Sequence, residues 1–347
     1  MDNKETRTEI SELGEFGLIE KIKEGSAVVN TTTKLGIGDD AAIIQGVEGK
    51  QLLVSTDMLL EGIHFDLSYF PLQHLGYKAV AVNVSDIAAM NGVPSQITVS
   101  LGLSNRFSVE AVEALYEGIR IACENYKVDL VGGDTTSSRS GLVISITAIG
   151  FADEKAIAKR SGAKSGDIIC VTGDLGAAFL GLQVLEREKQ VLKSDNMMQP
   201  QLSAYDYLVR RQLRPEARLD IVHELKSLEI TPTAMIDISD GLASELLHLS
   251  KSSSMGMKVY EENLPIDSMT YNTAVEFGID ATTCALNGGE DYELLFTISQ
   301  DDFKKIEKHN DIHFIGYVQE LEKGNSLITK NRNEVPLSAQ GWQHFKG

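Results

Sequence analysis

The sequence predicts an α+β protein built from two α/β-type domains, and three observations carry that expectation. The chain has 347 residues, 42% of them hydrophobic, enough to bury two cores. Strand-like apolar runs alternate with helical periodicity through both halves, the pattern of layered α/β architecture. That rhythm lapses in the charged, weakly periodic stretch 152–164. The domains are therefore expected at 1–151 and 152–347.

The elements follow in order. Ile10, Leu13, Phe16, Ile19 and Ile22 stand at helical spacing and predict an amphipathic helix over 9–24. From Gln51 an apolar, β-rich run leads into Ser55-Thr56-Asp57. The period becomes helical from Pro71 to Asn91, where Gly92-Val93-Pro94 ends it. A strand is expected over 96–103, a helix capped by Ser108 over 108–125, and a strand over 128–131 running into Gly132-Gly133-Asp134. Another strand follows over 142–151. In the second half, strands are expected at 167–172, 234–238, near 258–261 and at 292–298. Helices are expected at 176–188, 205–212, 215–228 and 242–251, and the tail up to Trp342 reads as irregular.

Fifty acidic and 32 basic residues give a net charge of −18. So acidic a surface repels a phosphate backbone and argues against nucleic-acid binding. Any anionic nucleotide would need cations to bind here. Cys123, Cys170 and Cys284 lie far apart, as core thiols of a reducing compartment do. The polar N-terminal segment lacks a signal-peptide profile, and no apolar run reaches the ~18 residues of a membrane span. A cytoplasmic protein is expected.

Chemistry concentrates in short acidic segments that end apolar elements: Gly36-Ile37-Gly38-Asp39-Asp40, Ser55-Thr56-Asp57, Asn83 to Asp86, Gly132-Gly133-Asp134, Asp237-Ile238-Ser239-Asp240-Gly241 and Gly288-Gly289-Glu290-Asp291. Mg²⁺ takes oxygen ligands and is commonly shared between carboxylates and substrate phosphates. Each segment alone also reads as a turn or helix cap. Asp39-Asp40 resists that reading, because two adjacent like charges sit against the apolar run 41–44. Asp86 resists it more, standing in an otherwise apolar helix with Asn83 three residues earlier on the same face. Arg160 lies at the junction of the halves, where it could meet a phosphate or simply be solvated. His64 follows Glu61-Gly62-Ile63 in a loop. The sequence contains no P-loop, protein-kinase, zinc-protease or serine-hydrolase motif.

The segments GEFGLI, GIGDDAAI, STDMLLEGIHF, KAVAVNVSDIAAMNGVP, GGDTT, KRSGAKSGD, DISDGLASEL and NGGEDYELLFT occur in an order that resembles the PurM/ThiL superfamily, and within it the thiamine-monophosphate kinases. The resemblance spans residues 14 to 345. It implies a PurM-like fold: an N-terminal mixed-sheet domain that dimerises and a C-terminal α/β sandwich domain. It also implies ATP-dependent phosphorylation of thiamine monophosphate by direct transfer, at a cleft between domains of a homodimer. Carried over position by position, the Mg²⁺ ligands are Asp40, Ser55, Thr56, Asp57, Asp86, Asp134, Asp237 and Asp240. ATP falls to Tyr116, Gly133, Asp134, Arg160 and Ser239, and the thiamine phosphate to His64, Glu290 and Trp342. No acid–base residue is implied, since a phosphate monoester is already largely ionised at neutral pH (second pKa about 6). Asp174, in Val171-Thr172-Gly173-Asp174, matches no family ligand.

Three rival readings stay open. A sibling synthetase of aminoimidazole ribonucleotide or selenophosphate shares the superfamily, although the latter carries a Cys or selenocysteine in an N-terminal Gly-rich loop. Here the first cysteine is Cys123, inside an expected helix. The second is a non-catalytic nucleotide-sensing assembly protein. The third is a generic Mg²⁺-phosphohydrolase, which would hydrolyse ATP undiminished without an acceptor.

Overall fold

The structure, a computed structural model, describes residues 21–35, 43–194 and 201–340. The backbone separates into two compact units, Met1–Ile87 with Gly92–Glu154 and Ala88–Asn91 with Lys155–Gly347. Most of the helix expected over 9–24 lies outside the described residues, and 21–24 are helical.

In the first unit, β1 (Thr33–Leu35) pairs antiparallel with β2 (Ile43–Ile44). A four-stranded sheet has the order β3-β6-β4-β5, from β3 (Lys50–Leu60), β4 (Val93–Leu103), β5 (Asp129–Ser137) and β6 (Val143–Asp153). Only β4 and β5 run parallel; the link between them is helix α2 (Val109–Tyr126), as a parallel crossover requires. Ser108 caps α2 by accepting from Ala111 N, as the sequence suggested. The expected strand 128–131 continues through Gly132-Gly133 to Ser137, because parallel pairing with β4 carries the glycines as strand instead of turn.

Helix α1 (Leu72–Ala89) is apolar almost all round, and from Leu75 to Ala89 every residue is buried except Asp86. Gly76 and Gly118 let α1 and α2 touch backbone to backbone. A Cβ at Gly76 would strike Leu115 O, and one at Gly118 would strike Gln73 O.

Register and alternation sort the sheet's side chains onto two faces. Leu53, Ser55, Asp57 and Leu59 share a face with Ile144, Ile146 and Ala148 of β6. On the other lie Leu52, Val54, Thr56 and Met58, with Thr147 of β6, Thr98 and Ser100 of β4, and Asp134 of β5. Leu52, Val54 and Met58 on that second face are 54–62% exposed.

The second unit carries a seven-stranded, mostly antiparallel sheet of order β13-β12-β9-β11-β7-β10-β8. Its strands are β7 (Ile168–Thr172), β8 (Ala234–Asp237), β9 (Gly256–Tyr260), β10 (Leu294–Ile298), β11 (Ile312–Gln319), β12 (Ser326–Ile328) and β13 (Glu334–Pro336). Its helices are α3 (Ala177–Ser194), α4 (Asp206–Leu213), α5 (Leu219–Ser227), α6 (Leu242–Ser253), α7 (Ser268–Glu276), α8 (Ala281–Asn287) and α9 (Gln300–Ile306). One core packs Leu242, Leu246 and Leu249 of α6 against Ile169, Ile236 and Leu295 of the sheet. A second joins α3, α4, α7 and α8 through Leu180, Leu208, Ala274 and Cys284. The tail that read as irregular contains α9 and β11 to β13, so three of this sheet's seven strands, β11 among the interior ones, were not legible in the sequence. β12 and β13 have three residues each, and β11, though eight residues long, is broken by a register shift between Phe314 and Gly316. All three cysteines are free, with Cys170 and Cys284 buried. No helix among the described residues is long and apolar enough to cross a membrane.

Candidate active site

The first unit gathers oxygen where β3 passes α1. Ser55 Oγ donates a short hydrogen bond to Asp86 Oδ2. Asn83 Oδ1, one turn earlier on α1, accepts from Asp57 N at 3.0 Å, while its Nδ2 donates to Ala79 O at 2.9 Å. Asp57 and Asp86 thereby become neighbours. Burial, with the Asp86 charge added, pushes the Asp57 carboxyl up to about 6. Both causes act in the same direction: the site resists holding two negative charges by itself. His64 is held at the end of β3, its Nδ1 accepting from Leu60 N at 3.0 Å.

Thr56 and Asp134 lie on the opposite face of the same sheet. Thr56 Oγ1 donates to Ile146 O at 3.0 Å and accepts from Thr147 Oγ1 at 3.1 Å. Asp134 is exposed, beside Gly133, whose missing side chain lets β5 lie against Val99 of β4. Tyr116 is buried on α2, where burial pushes its phenol well above the ordinary range. It lines a cavity of about 710 Å³ with Lys21, Glu113 and Arg120.

The second unit builds its acidic site at the end of β8. Asp237 closes the strand, and Ser239-Asp240 form the turn into α6. The helix begins at Gly241, φ 103°, with no side-chain cap, so Asp240 is not spent as the N-cap that its position suggested. Instead Asp240 N donates to Glu245 Oε1 at 3.1 Å. Glu245 is 3% exposed, and burial, with Asp237 and Asp240 close by, raises its carboxyl to about 8 against the opposing pull of Arg160. The Arg160 loop is fixed by Ser253 of α6, whose Oγ donates to Arg160 O and accepts from Gly162 N and Ala163 N. Glu290 joins the same turn through its backbone, Glu290 N donating to Ser239 O at 2.7 Å.

With this geometry in view, comparison with known proteins is decisive. A family profile described as AIR synthase related protein, N-terminal domain, matches residues 38–152. Over 341 residues the chain is 36% identical to the thiamine-monophosphate kinase of Bacillus subtilis (strain 168), covering 96% of this chain and 100% of that one. The chain belongs to the thiamine-monophosphate kinase family. Among solved structures, a thiamine-monophosphate kinase from Stenotrophomonas maltophilia K279a is 31% identical with a TM-score of 0.78, over 94% of this chain and 98% of that one. A structure described as AaThiL complexed with AMPPCP and TMP is 34% identical with a TM-score of 0.73, over 96% and 98%. The PurM-like α+β fold that the resemblance implied is thereby established.

Within this kinase-family framework the expected residues fall into sets. Ser55, Asp57 and Asp86 converge in the first unit; Arg160, Asp237, Ser239, Asp240 and Glu290 converge in the second. Asp40 and Trp342 lie outside the described residues. Among the described residues no three His, Cys, Asp or Glu side chains close into a metal-holding group. Paired carboxylates with hydroxyl and amide oxygens nevertheless suit Mg²⁺, which keeps open positions for water and phosphate oxygen. Glu245 is a member that the sequence reading passed over. It falls on the apolar stripe Leu242, Leu246, Leu249, and a carboxylate at a stripe position was the available signal.

Proposed function

We propose that this protein transfers a phosphoryl group from ATP to thiamine monophosphate, giving thiamine diphosphate and ADP, with Mg²⁺ ions bound by its carboxylates. The observation that carries the proposal is the Asp57–Asp86 pair, two like charges brought together where Asp86 is the one residue from Leu75 to Ala89 that is not buried. A divalent cation is what makes such a pair favourable. Asp57, Asp86 and Ser55 would hold Mg²⁺ in the first unit and Asp237 and Asp240 in the second, with Asp40, Thr56 and Asp134 completing the set by family likeness. The bound ions would supply charge neutralisation for a reaction between two anions.

The chain's own contribution is positioning. Asn83 fixes the Asp57 backbone, and Glu245 fixes that of Asp240. Arg160 and Ser239 would meet the polyphosphate, with Gly133, Asp134 and Tyr116 as further nucleotide contacts. His64, Glu290 and Trp342 would meet thiamine monophosphate. A second copy of the chain would cover Leu52, Val54 and Met58, whose exposure on one sheet face is large for a solvated strand. Buried free thiols and strong acidity suit a cytoplasmic enzyme that binds neither membrane nor nucleic acid.

A steady-state assay with ATP, Mg²⁺ and thiamine monophosphate tests the reading. ADP should form only with the acceptor present and should cease with EDTA. ATP hydrolysis undiminished without acceptor would make the protein a phosphohydrolase, and turnover only with formylglycinamidine ribonucleotide would make it a sibling synthetase.

A further inference from the structure

Helix α4 holds three polar side chains that the phosphotransfer reading leaves without a role: Tyr207, Arg211 and Gln212. All three reach the loops that flank Glu290. Tyr207 Oη donates a short hydrogen bond to Asp174 Oδ2. Arg211 Nη2 donates to Asp174 O at 3.0 Å and to Asp291 O at 3.4 Å, while its Nη1 meets Glu293 Oε1 at 2.9 Å. Gln212, 2% exposed, donates from Nε2 to Glu290 Oε2 at 2.7 Å. Asp174, the acidic residue that matched no family ligand, is thus an anchor for α4.

The reach of Gln212 is set by packing. Gly181 of α3 leaves room for α4 at closest approach: a Cβ there would strike Leu208 O and lie 3.0 Å from Gln212 Cβ. Glu290 is itself an unusual residue to leave unsupported. It adopts φ 59°, a left-handed conformation that disfavours a long side chain, and its neighbour Gly289 adopts φ 72°. Its backbone is tied to Ser239 O and that of Tyr292 to Ile238 O. The main chain is therefore fixed, and the hydrogen bond from Gln212 holds one oxygen of the carboxylate.

We infer that Gln212 is a positioning residue that aims the Glu290 carboxylate at thiamine monophosphate and so sets affinity for that substrate alone. The inference rests on the reading of Glu290 as a substrate contact. A carboxylate complements the cationic heterocycle of this substrate, and a neutral donor on one of its oxygens orients it without cancelling its charge. The nucleotide, held by other residues, gains nothing from this contact.

The test compares Gln212→Met, which keeps the volume and loses the donor, with Glu290→Gln and the double variant, by steady-state kinetics for both substrates. Gln212→Met should raise KM for thiamine monophosphate about tenfold, the loss expected for one hydrogen bond to a charged group, with kcat and KM for ATP within about twofold. The double variant should be no worse than Glu290→Gln alone, since an aimed carboxylate is needed for Gln212 to matter. An unchanged KM in Gln212→Met, or equal damage to both substrates and kcat, would overturn the inference. If Glu290→Gln leaves the KM for thiamine monophosphate unchanged, the parent assignment fails and takes this one with it. If Glu290→Gln raises it while Gln212→Met does not, only the role of Gln212 falls. Should Gln212→Met not fold, Gln212→Asn, which keeps the amide but withdraws it by one methylene, is expected to shift the same KM in the same direction, and no shift there would overturn the inference equally.

Discussion

Asp57 of the first unit and Glu293 of the second are both carboxylates drawn in from solvent, and their surroundings differ in sign. Glu293, 2% exposed, accepts from Arg218 Nη1 at 2.6 Å, Arg211 Nη1 at 2.9 Å and Thr172 Oγ1 at 2.6 Å. Arg218 continues the network to Asp220 and Asp311. Asp57 has Asp86 beside it, and its carboxyl is pushed up to about 6. Glu293 answers to partners supplied by the chain; Asp57, in the function proposed above, would be answered by a bound cation. On that proposal the contrast separates a structural carboxylate from a binding one, which burial alone does not do.

Breaking each site should have opposite consequences. The largest expected effect is on activity: Asp86→Asn should lower kcat by about 10³-fold or more while the protein folds normally, as circular dichroism and turnover would show. Near-normal turnover would remove Asp86 from the site. Next comes stability at the contrasting carboxylate. Glu293→Gln leaves two buried guanidinium groups short of charge and should cost about 3–5 kcal/mol in denaturant unfolding. By comparison, Asp57→Asn should stabilise the metal-free protein, by about 1 kcal/mol after allowance for partial exposure. If both substitutions destabilise alike, the distinction drawn here fails.

The acid range sharpens the comparison. The folded, metal-free protein holds a proton on Asp57 to about pH 6, whereas the unfolded chain releases it near the ordinary 3.8. Stability from this group is therefore complete below about pH 4 and lost as pH rises through 6. A divalent cation competes with that proton. The rise in Tm produced by Mg²⁺ should thus be largest above pH 7 and shrink as pH falls through 6, and Asp57→Asn should flatten that dependence. Smallest in catalytic terms, Val54→Asp on the open sheet face should convert the proposed dimer to a monomer in light scattering, with its fold retained.

Much of this was legible in the sequence, for identifiable reasons. Long, strongly apolar stretches, such as α1 and the start of β3, declare themselves by length and composition. Asp86 stood out because a charge in an apolar helix demands a partner, and the Ser55 hydroxyl and Asp57 now surround it. Less legible were β5 beyond Val131, where Gly132-Gly133 looks like a turn until a parallel neighbour is present, and the elements after Ile298. Gln212 and Glu245 were passed over because a polar residue on a helix usually faces water. Both lie four or three residues after an apolar core position, Leu208 and Leu242, and that spacing places them inward.

The backbone contacts that Gly76 makes with Leu115 and Gly118 with Gln73 bear on how mutations in this chain should be interpreted. Gly76 and Asp86 share α1, ten residues apart, roughly 15 Å along the axis. A methyl group at Gly118 would prise the two helices apart and displace a carboxylate that it never touches. Loss-of-function variants are therefore expected at a crossing with no chemistry of its own, and a survey of substitutions that scored only ligand contacts would misfile them as accidents.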